Sequence, residues 1–319
     1  MKNYLSSYYW LCKPLFKYKK NLLLILSSLV FSCQSSEPSL EKVKTQPIKI
    51  LIIDGFSNHD WQATTQALLS ILKKDSSFST EVSTIPPKKD VHWSNWLPEY
   101  DSYDLIIQNT NDINNGHSWP EPAKKKFEQY MMNGGAMLVF HSANNAFPNW
   151  KEYNKMIGLG WRNKNFGPAI TIKNKQIIRI PKGQGMNTGH GKRVDTLITK
   201  LGKHPIHQGL PAQWRAADLE IYTYARGPAE NIDILSYAKD ARFELNFPIE
   251  WTVQYGKGRI YNSTYGHYWR QQEALPPSMR CVAFQTIFLR SIKWLAKVDI
   301  NSPMPKNFPS TTSPSLYTE

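Results

Sequence analysis

Ile48-Lys49-Ile50-Leu51-Ile52-Ile53-Asp54-Gly55 is an almost unbroken apolar run, rich in β-branched residues, that stops at an acid and a glycine. A strand with one wet face alternates apolar and polar side chains. A run with a single polar position is covered on both faces, as in the middle of a parallel sheet. Working outward, residues 60–74 place Leu68, Leu69, Ile71 and Leu72 on one helical face. Residues 80–85 read as a short second strand, and Asp104-Leu105-Ile106-Ile107 as the body of a third. Ser118-Trp119-Pro120-Glu121 has the form of a capping box, and the helix it would open runs to Asn133 and stops at Gly134-Gly135. Ala136-Met137-Leu138-Val139-Phe140 is a fourth strand, ending at His141. Strand and helix in this order, joined by short turns, predict an α/β protein: a flavodoxin-like, doubly wound, mostly parallel sheet with helices on both faces.

The pattern changes after residue 166. Residues 170–172 and 177–180 flank Asn174-Lys175, and residues 250–255 and 259–264 flank Gly256-Lys257-Gly258, so both pairs read as β-hairpins. Residues 218–224 and 232–237 read as strands, and residues 279–295 as a closing helix. The C-terminal half is therefore expected to carry hairpin insertions.

The two ends differ in composition from this middle. Lys2, Lys13, Lys17, Lys19 and Lys20 precede the apolar stretch 22–31, which is too short for a comfortable membrane span. Ser32-Cys33 follows, and Leu29-Val30-Phe31-Ser32-Cys33 resembles a bacterial lipobox. The expectation is a lipoprotein signal peptide at 1–32, lipid attachment at Cys33, a flexible tether at 33–47, a domain at 48–298 and a disordered tail at 299–319. The mature chain would be exported and anchored by lipid at the periplasmic or cell-surface face of a membrane. Without residues 1–32 the chain keeps 34 basic and 25 acidic residues. That excess is spread out, with no run longer than Lys124-Lys125-Lys126, so no nucleic-acid partner is expected. Of the three cysteines, only Cys281 would remain, so the domain must hold together without a disulfide.

In an open parallel sheet, ligands bind beyond the carboxyl ends of the strands. His59 follows the first strand, Asn109 and Asn111 the third, and His141, Asn144 and Asn145 the fourth. These converge on one rim, which His267 joins if the last hairpin folds over it. Asp218 or Glu220 supplies a carboxylate. Two chemistries fit: general acid–base work by imidazole and carboxylate, or a divalent metal such as zinc on borderline ligands. No tight spacing such as H-x-x-x-H marks a metal. Trp61, Trp161 and Trp269 lie beside polar or glycine residues, and Tyr222 is among the aromatics of the same loops, where aromatic faces can stack on sugar rings. Arg259 reads equally as a ligand contact or as the partner of a buried carboxylate. His190, flanked by glycines, is open between a structural and a functional role, whereas His92, His117 and His204 read as structural.

Taken in order, several stretches resemble the ThuA-like (trehalose-utilisation) family. They are Asp54-Gly55-Phe56-Ser57-Asn58-His59-Asp60-Trp61, then Gly134-Gly135 through His141-Ser142-Ala143, then Phe147-Pro148-Asn149-Trp150. Met156-Ile157-Gly158, Trp161, His204-Pro205-Ile206, Asp218-Leu219-Glu220-Ile221-Tyr222 and Gly256-Lys257-Gly258-Arg259-Ile260-Tyr261 leading to Gly266-His267 complete the set. The resemblance implies a class I glutamine amidotransferase-like fold. It implies no glutaminase chemistry, because the strand that would end at the nucleophilic cysteine ends here at His141. It also implies carbohydrate metabolism linked to trehalose and oxidised (keto) disaccharides. The expected catalytic residues are His59, His141, Glu220 and His267. The expected substrate contacts are Trp61, Asn109, Asn144, Asn145, Trp161, Tyr222 and Arg259. The expected function is an exported lipoprotein acting on glycosides or keto-sugars by acid–base chemistry, with or without a metal. The alternatives are a non-catalytic sugar-binding lipoprotein and a zinc-dependent hydrolase of another substrate. The partners implied are a sugar or glycoside, the membrane through the lipid, and a second copy of the chain if it oligomerises.

Overall fold

The Ile48–Asp54 run becomes β1, a central strand of an eleven-stranded sheet in a computed structural model that describes residues 46–113, 117–272 and 274–318. The lipobox, Cys33 and most of the tether lie outside the described residues. Among the described residues, no helix is long and apolar enough to cross a membrane. β1 pairs in parallel with β2 (Phe78–Thr84) on one side and β3 (Leu105–Gln108) on the other. β4 (Ala136–Val139) and β11 (Gly258–Ser263) continue the parallel half. Side chains alternate across a strand. Ile50 and Ile52 accordingly join Leu68, Ile71, Phe284, Ile287 and Ile292 in one apolar layer, while Leu51 and Ile53 join Phe127, Met131, Tyr153 and Met156 in the other. The helices of the first layer are α1 (Trp61–Leu72) and α5 (Val282–Leu295). Those of the second are α2 (Glu121–Met132) and α3 (Lys151–Ile157). The chain is thus an α/β protein with helices on both faces of the sheet.

The C-terminal half carries the two expected hairpins, β5 (Ala169–Lys173) with β6 (Gln176–Ile180) and β10 (Leu245–Tyr255) with β11, and three other expectations need correction. β10, β9 (Ile232–Asp240), β7 (Val194–Lys200) and β8 (Gln213–Leu219) extend the same sheet from β11 by antiparallel pairing, and only β5 with β6 forms a side hairpin. β7 escaped the sequence reading because its exposed and buried positions follow no clean period. Next, the capping box does not form. α2 starts behind Pro120 without a side-chain cap, and Trp119 is drawn into the core at 1% exposure. α1, by contrast, is capped by Asp60, whose carboxylate accepts from the Ala63 amide at 2.9 Å.

The closing helix is interrupted, and the tail is ordered. α4 (Pro277–Arg280) stops at Cys281, which takes an extended conformation before α5 begins. The freed amide of Val282 donates to the Ser315 carbonyl at 2.9 Å, and Tyr317 donates to Arg280 at 2.9 Å. Phe308 packs on Trp214 with ring centroids 5.9 Å apart, and the Arg215 amide bonds Ser310 at 2.8 Å. Composition suggested disorder, but the open edge of β8 and the break at Cys281 offer this tail backbone partners.

Candidate metal-binding active site

Each of the main polar groups sits where an element ends. Gly55 closes β1 with φ +127°, and a side chain there would meet the Ile85 carbonyl at 2.5 Å. The glycine therefore lets the chain turn tightly into the loop that carries Asn58 and His59. The chain leaves β4 through His141 itself, whose φ of +40° is unusual for a residue with a side chain. Such a conformation costs about 1 kcal/mol or more and persists where the surroundings enforce it, often at working sites. Glu220 follows β8, and His267 follows β11 across a short loop.

These four side chains meet. The ring centroids of His59, His141 and His267 form a near-regular triangle with edges of 5.2, 5.1 and 4.9 Å. Glu220 Oε2 lies 3.4 Å from His141 Nε2. One donor atom from each of the four lies within 4.8 Å of the others, and all four residues are buried. His141 is 2% exposed, so it is not the solvent-facing rim residue that its place at a strand end suggested.

The hydrogen-bond partners decide which nitrogens are available. His141 Nδ1 lies 3.0 Å from the Thr264 carbonyl, which can only accept, so Nδ1 carries a proton and Nε2 is the nitrogen turned toward Glu220. His59 Nδ1 lies 2.9 Å from Asn58 Oδ1, an oxygen identified by the amide it also accepts from Asn111 at 2.8 Å. Its Nε2 is buried with no partner among the described residues. His267 receives a hydrogen bond from the Arg193 guanidinium, which can only donate, so that ring also offers a lone pair. Burial first, and the neighbouring His141 second, push His59 down to about 2 and His267 down to about 3, so both are neutral at pH 7. Burial alone would raise Glu220, but hydrogen bonds from His141 and His190 outweigh it and hold the carboxyl well below its usual range.

Three imidazoles, His59 and His141 each held through Nδ1, and one carboxylate form a donor set suited to zinc or a similar divalent ion. Tetrahedral coordination at about 2.1 Å sets ligand atoms about 3.4 Å apart, so the widest pair needs to close by roughly an ångström. The guanidinium of Arg193 now rests on the lone pair of His267 and is steadied by Asp218, 3.3 Å from its Nε. An ion taking that lone pair displaces the guanidinium.

The cluster forms one wall of a cavity of 890 Å³, within the range of sites that enclose small molecules. Trp161 and the half-exposed Trp269 line it, along with Asn145, Lys192 and Gln272. Tyr222 also lines it, its hydroxyl 3.3 Å from His141 Nε2 and 3.4 Å from the Asn145 amide. Burial, then the charge of Glu220, keeps that phenol protonated. His190 stands at the open side, its Nδ1 3.0 Å from Glu220 Oε1, and that hydrogen bond raises its pKa.

The structure thus brings together His59, His141, Glu220, His267, Asn145, Trp161 and Tyr222. The carboxylate in the cluster is that of Glu220, while Asp218 pairs with Arg193. Other expected contacts fall elsewhere. Trp61 opens α1 and does not line the cavity, and Asn109 spends its amide on Trp61 O and Thr65 Oγ1. Asn144 is wholly buried behind the wall. Arg259 sits at the start of β11, at the opposite end of the sheet, over Trp294. The sequence reading passed over Asn58, Lys192, Arg193 and Gln272 as contacts. The last three sit in irregular chain or ahead of the strand it missed, and Asn58 was visible only as the neighbour of His59.

Comparison with known proteins follows the same outline. The sequence pattern described as trehalose utilisation (ThuA) matches residues 49–295. A ThuA-like protein from Parabacteroides merdae is 33% identical and superposes with a TM-score of 0.79, over 85% of this chain and 98% of its own. A ThuA-like protein from Bacteroides uniformis, 18% identical, superposes at 0.53 over 81% of this chain and 96% of its own, and so shares the fold. No curated protein matches the sequence closely enough to count as a relative.

Proposed function

Since the chain belongs to the ThuA (trehalose-utilisation) family, we propose that it is a metal-assisted enzyme acting on a glycoside or its keto-sugar form. The observation that carries this reading is the buried cluster of His59, His141, His267 and Glu220, with donor atoms within 4.8 Å and His59 Nε2 left without a partner among the described residues. A divalent ion bound there would polarise a sugar carbonyl or hydroxyl, or acidify a water. The chain's own residues do the rest. Trp161 and Trp269 offer flat faces to the C–H faces of a pyranose, and Asn145 and Gln272 reach its hydroxyls. The Tyr222 hydroxyl donates toward the reacting oxygen. His190, on the open wall and hydrogen-bonded to Glu220, is placed to pass a proton to or from the substrate.

The test is an activity screen on keto-glycosides and their unoxidised parents, before and after chelation. Turnover is expected to fall at least 100-fold when metal is stripped and to return with zinc or another divalent ion. Full activity in stripped protein contradicts the reading. Tight sugar binding without turnover would assign the cavity to binding alone.

The lipobox-like stretch ending at Cys33 supports export and lipid anchoring as part of the same reading. The full gene product is expected in the membrane fraction, and Cys33→Ser is expected to release it. A Cys33→Ser protein that stays equally membrane-bound would sink the anchor.

A further inference from the structure

The opposite end of the sheet carries a second concave surface that the proposed reaction does not use. Three hollows of 410, 680 and 420 Å³ adjoin one another there. The first two share Lys203 and His204, and the last two share Asp233, so they form one groove across the β7–β9–β10 side of the sheet. None of their lining residues lines the catalytic cavity. Arg259 marks the location, since it opens β11 opposite Ala136 at the start of β4, whereas His141 and His267 follow the other ends of those strands.

The groove is basic. Lys175, Arg179, Lys200, Lys203 and Arg259 face it against a single carboxylate, Asp233. Lys175, Arg179 and Lys203 are exposed and make no ion pair among the described residues. Charge alone would suit any polyanion, but two buried atoms and one ring narrow the choice. His207 lines the first hollow at 2% exposure, with Nε2 turned to Glu250 at 3.2 Å, so its Nδ1 is a lone pair. That Nδ1 is buried with no partner among the described residues, and it would accept from a hydroxyl. Arg259 Nε is also buried without a partner, and it would donate to an anionic oxygen. Trp294 lines the groove with Arg259 4.7 Å above one face of its ring and His204 5.0 Å away, adding aromatic surface beside the cations of the kind that meets the C–H groups of sugars. Cations, a hydroxyl acceptor and an aromatic face in one groove match one ligand chemistry.

We propose that this groove binds an acidic polysaccharide, a chain of sugars bearing carboxylate or sulfate groups, independently of the catalytic cavity. It would hold the polymer while the other end of the sheet works on a released sugar. The inference does not rest on the metal reading, because no residue is shared.

The full-length protein is titrated with polygalacturonate, dextran sulfate and neutral dextran, and with single-stranded DNA and anionic phospholipid vesicles as other polyanions. Binding to at least one acidic polysaccharide and not to neutral dextran is expected, with the tighter of the two naming the acidic group. Arg179→Glu with Lys203→Glu, both on exposed side chains, is expected to weaken that binding at least 10-fold with the melting temperature unchanged. Lys175→Glu, on the separate β5–β6 hairpin, is expected to move it in the same direction. Glu220→Gln, which tests the other site, is expected to leave it intact. The proposal is overturned by absent binding, by equal binding of neutral dextran, or by charge reversals without effect. It is equally overturned if DNA or vesicles bind as tightly with the same sensitivity to the substitutions.

Discussion

Glu220→Gln is expected to lower affinity for zinc by two orders of magnitude or more and to remove turnover with it. Glu220 is the only anion among the four donors, and it is buried. A neutral amide oxygen in its place keeps the volume but loses the Coulomb attraction, which is strongest in a site shielded from water. The fold should survive, because the substitution removes a buried charge rather than a packed side chain, and the melting temperature of the metal-free protein should move by only a few degrees. His141→Asn should give the same loss of metal. Asn tolerates positive φ better than most residues, so the bend after β4 is kept while the imidazole is lost. Competition with a chromophoric chelator reads both affinities, and affinities equal to the parent protein's would remove these residues from the site.

Glu250→Ala is expected to destabilise the protein by about 3–5 kcal/mol while leaving zinc affinity alone. Glu250 is fully buried in β10, bonded to His207 at 3.2 Å, to the Tyr261 hydroxyl at 2.7 Å and to Ser236. Removing it strands three polar groups in the core. A kcal/mol shifts the melting temperature of a domain of this size by about 2–4 °C, so a fall of roughly 10 °C is expected. The pH dependence has a definite sign. Burial works to raise the Glu250 pKa, but its pairing with His207 and the hydrogen bonds from Ser236 and Tyr261 outweigh it, leaving it below the usual carboxylate value. A carboxylate held low in the folded state stabilises above its unfolded pKa, about 4.3, and that contribution fades as pH falls through the folded value. The gap in melting temperature between the parent and the Glu250→Ala variant should therefore narrow as pH falls below about 4.3. A constant gap across pH would contradict this account. His59 and His267 act in the same direction in metal-free protein, over a window that opens at higher pH. Unfolded imidazoles take protons from about pH 6.5 downward, while the folded ones resist until about 2 and 3, so stability is full above 6.5 and drains below it.

Much of this was legible in the sequence where the pattern is local. An apolar run bounded by Asp54-Gly55 can be little but a central strand, and the rule that ligands gather at strand ends puts His59 and His141 on one rim. Arg259, left open in sequence between a ligand contact and a buried ion pair, falls outside that rule. The Gly256-Lys257-Gly258 turn opens β11, so Arg259 starts that strand and lies at the far end of the sheet. Asp218 and Glu220 would share a face in a regular strand. The left-handed φ of +46° at Asp218 turns the chain there, and no local signal announced it. Arg193 depends on β7, whose pairing is decided by partners 20 and 40 residues further on. The order of the tail rests likewise on an open strand edge and a helix break that composition does not encode.

Metal content of the purified full-length protein, measured by inductively coupled plasma mass spectrometry beside its Glu220→Gln variant, tests the central claim most directly. The account predicts close to one equivalent of zinc or a similar divalent ion per chain in the parent protein and almost none in the variant. A metal-free parent protein that turns over keto-glycosides, and whose melting temperature does not rise when divalent ions are added, would contradict it.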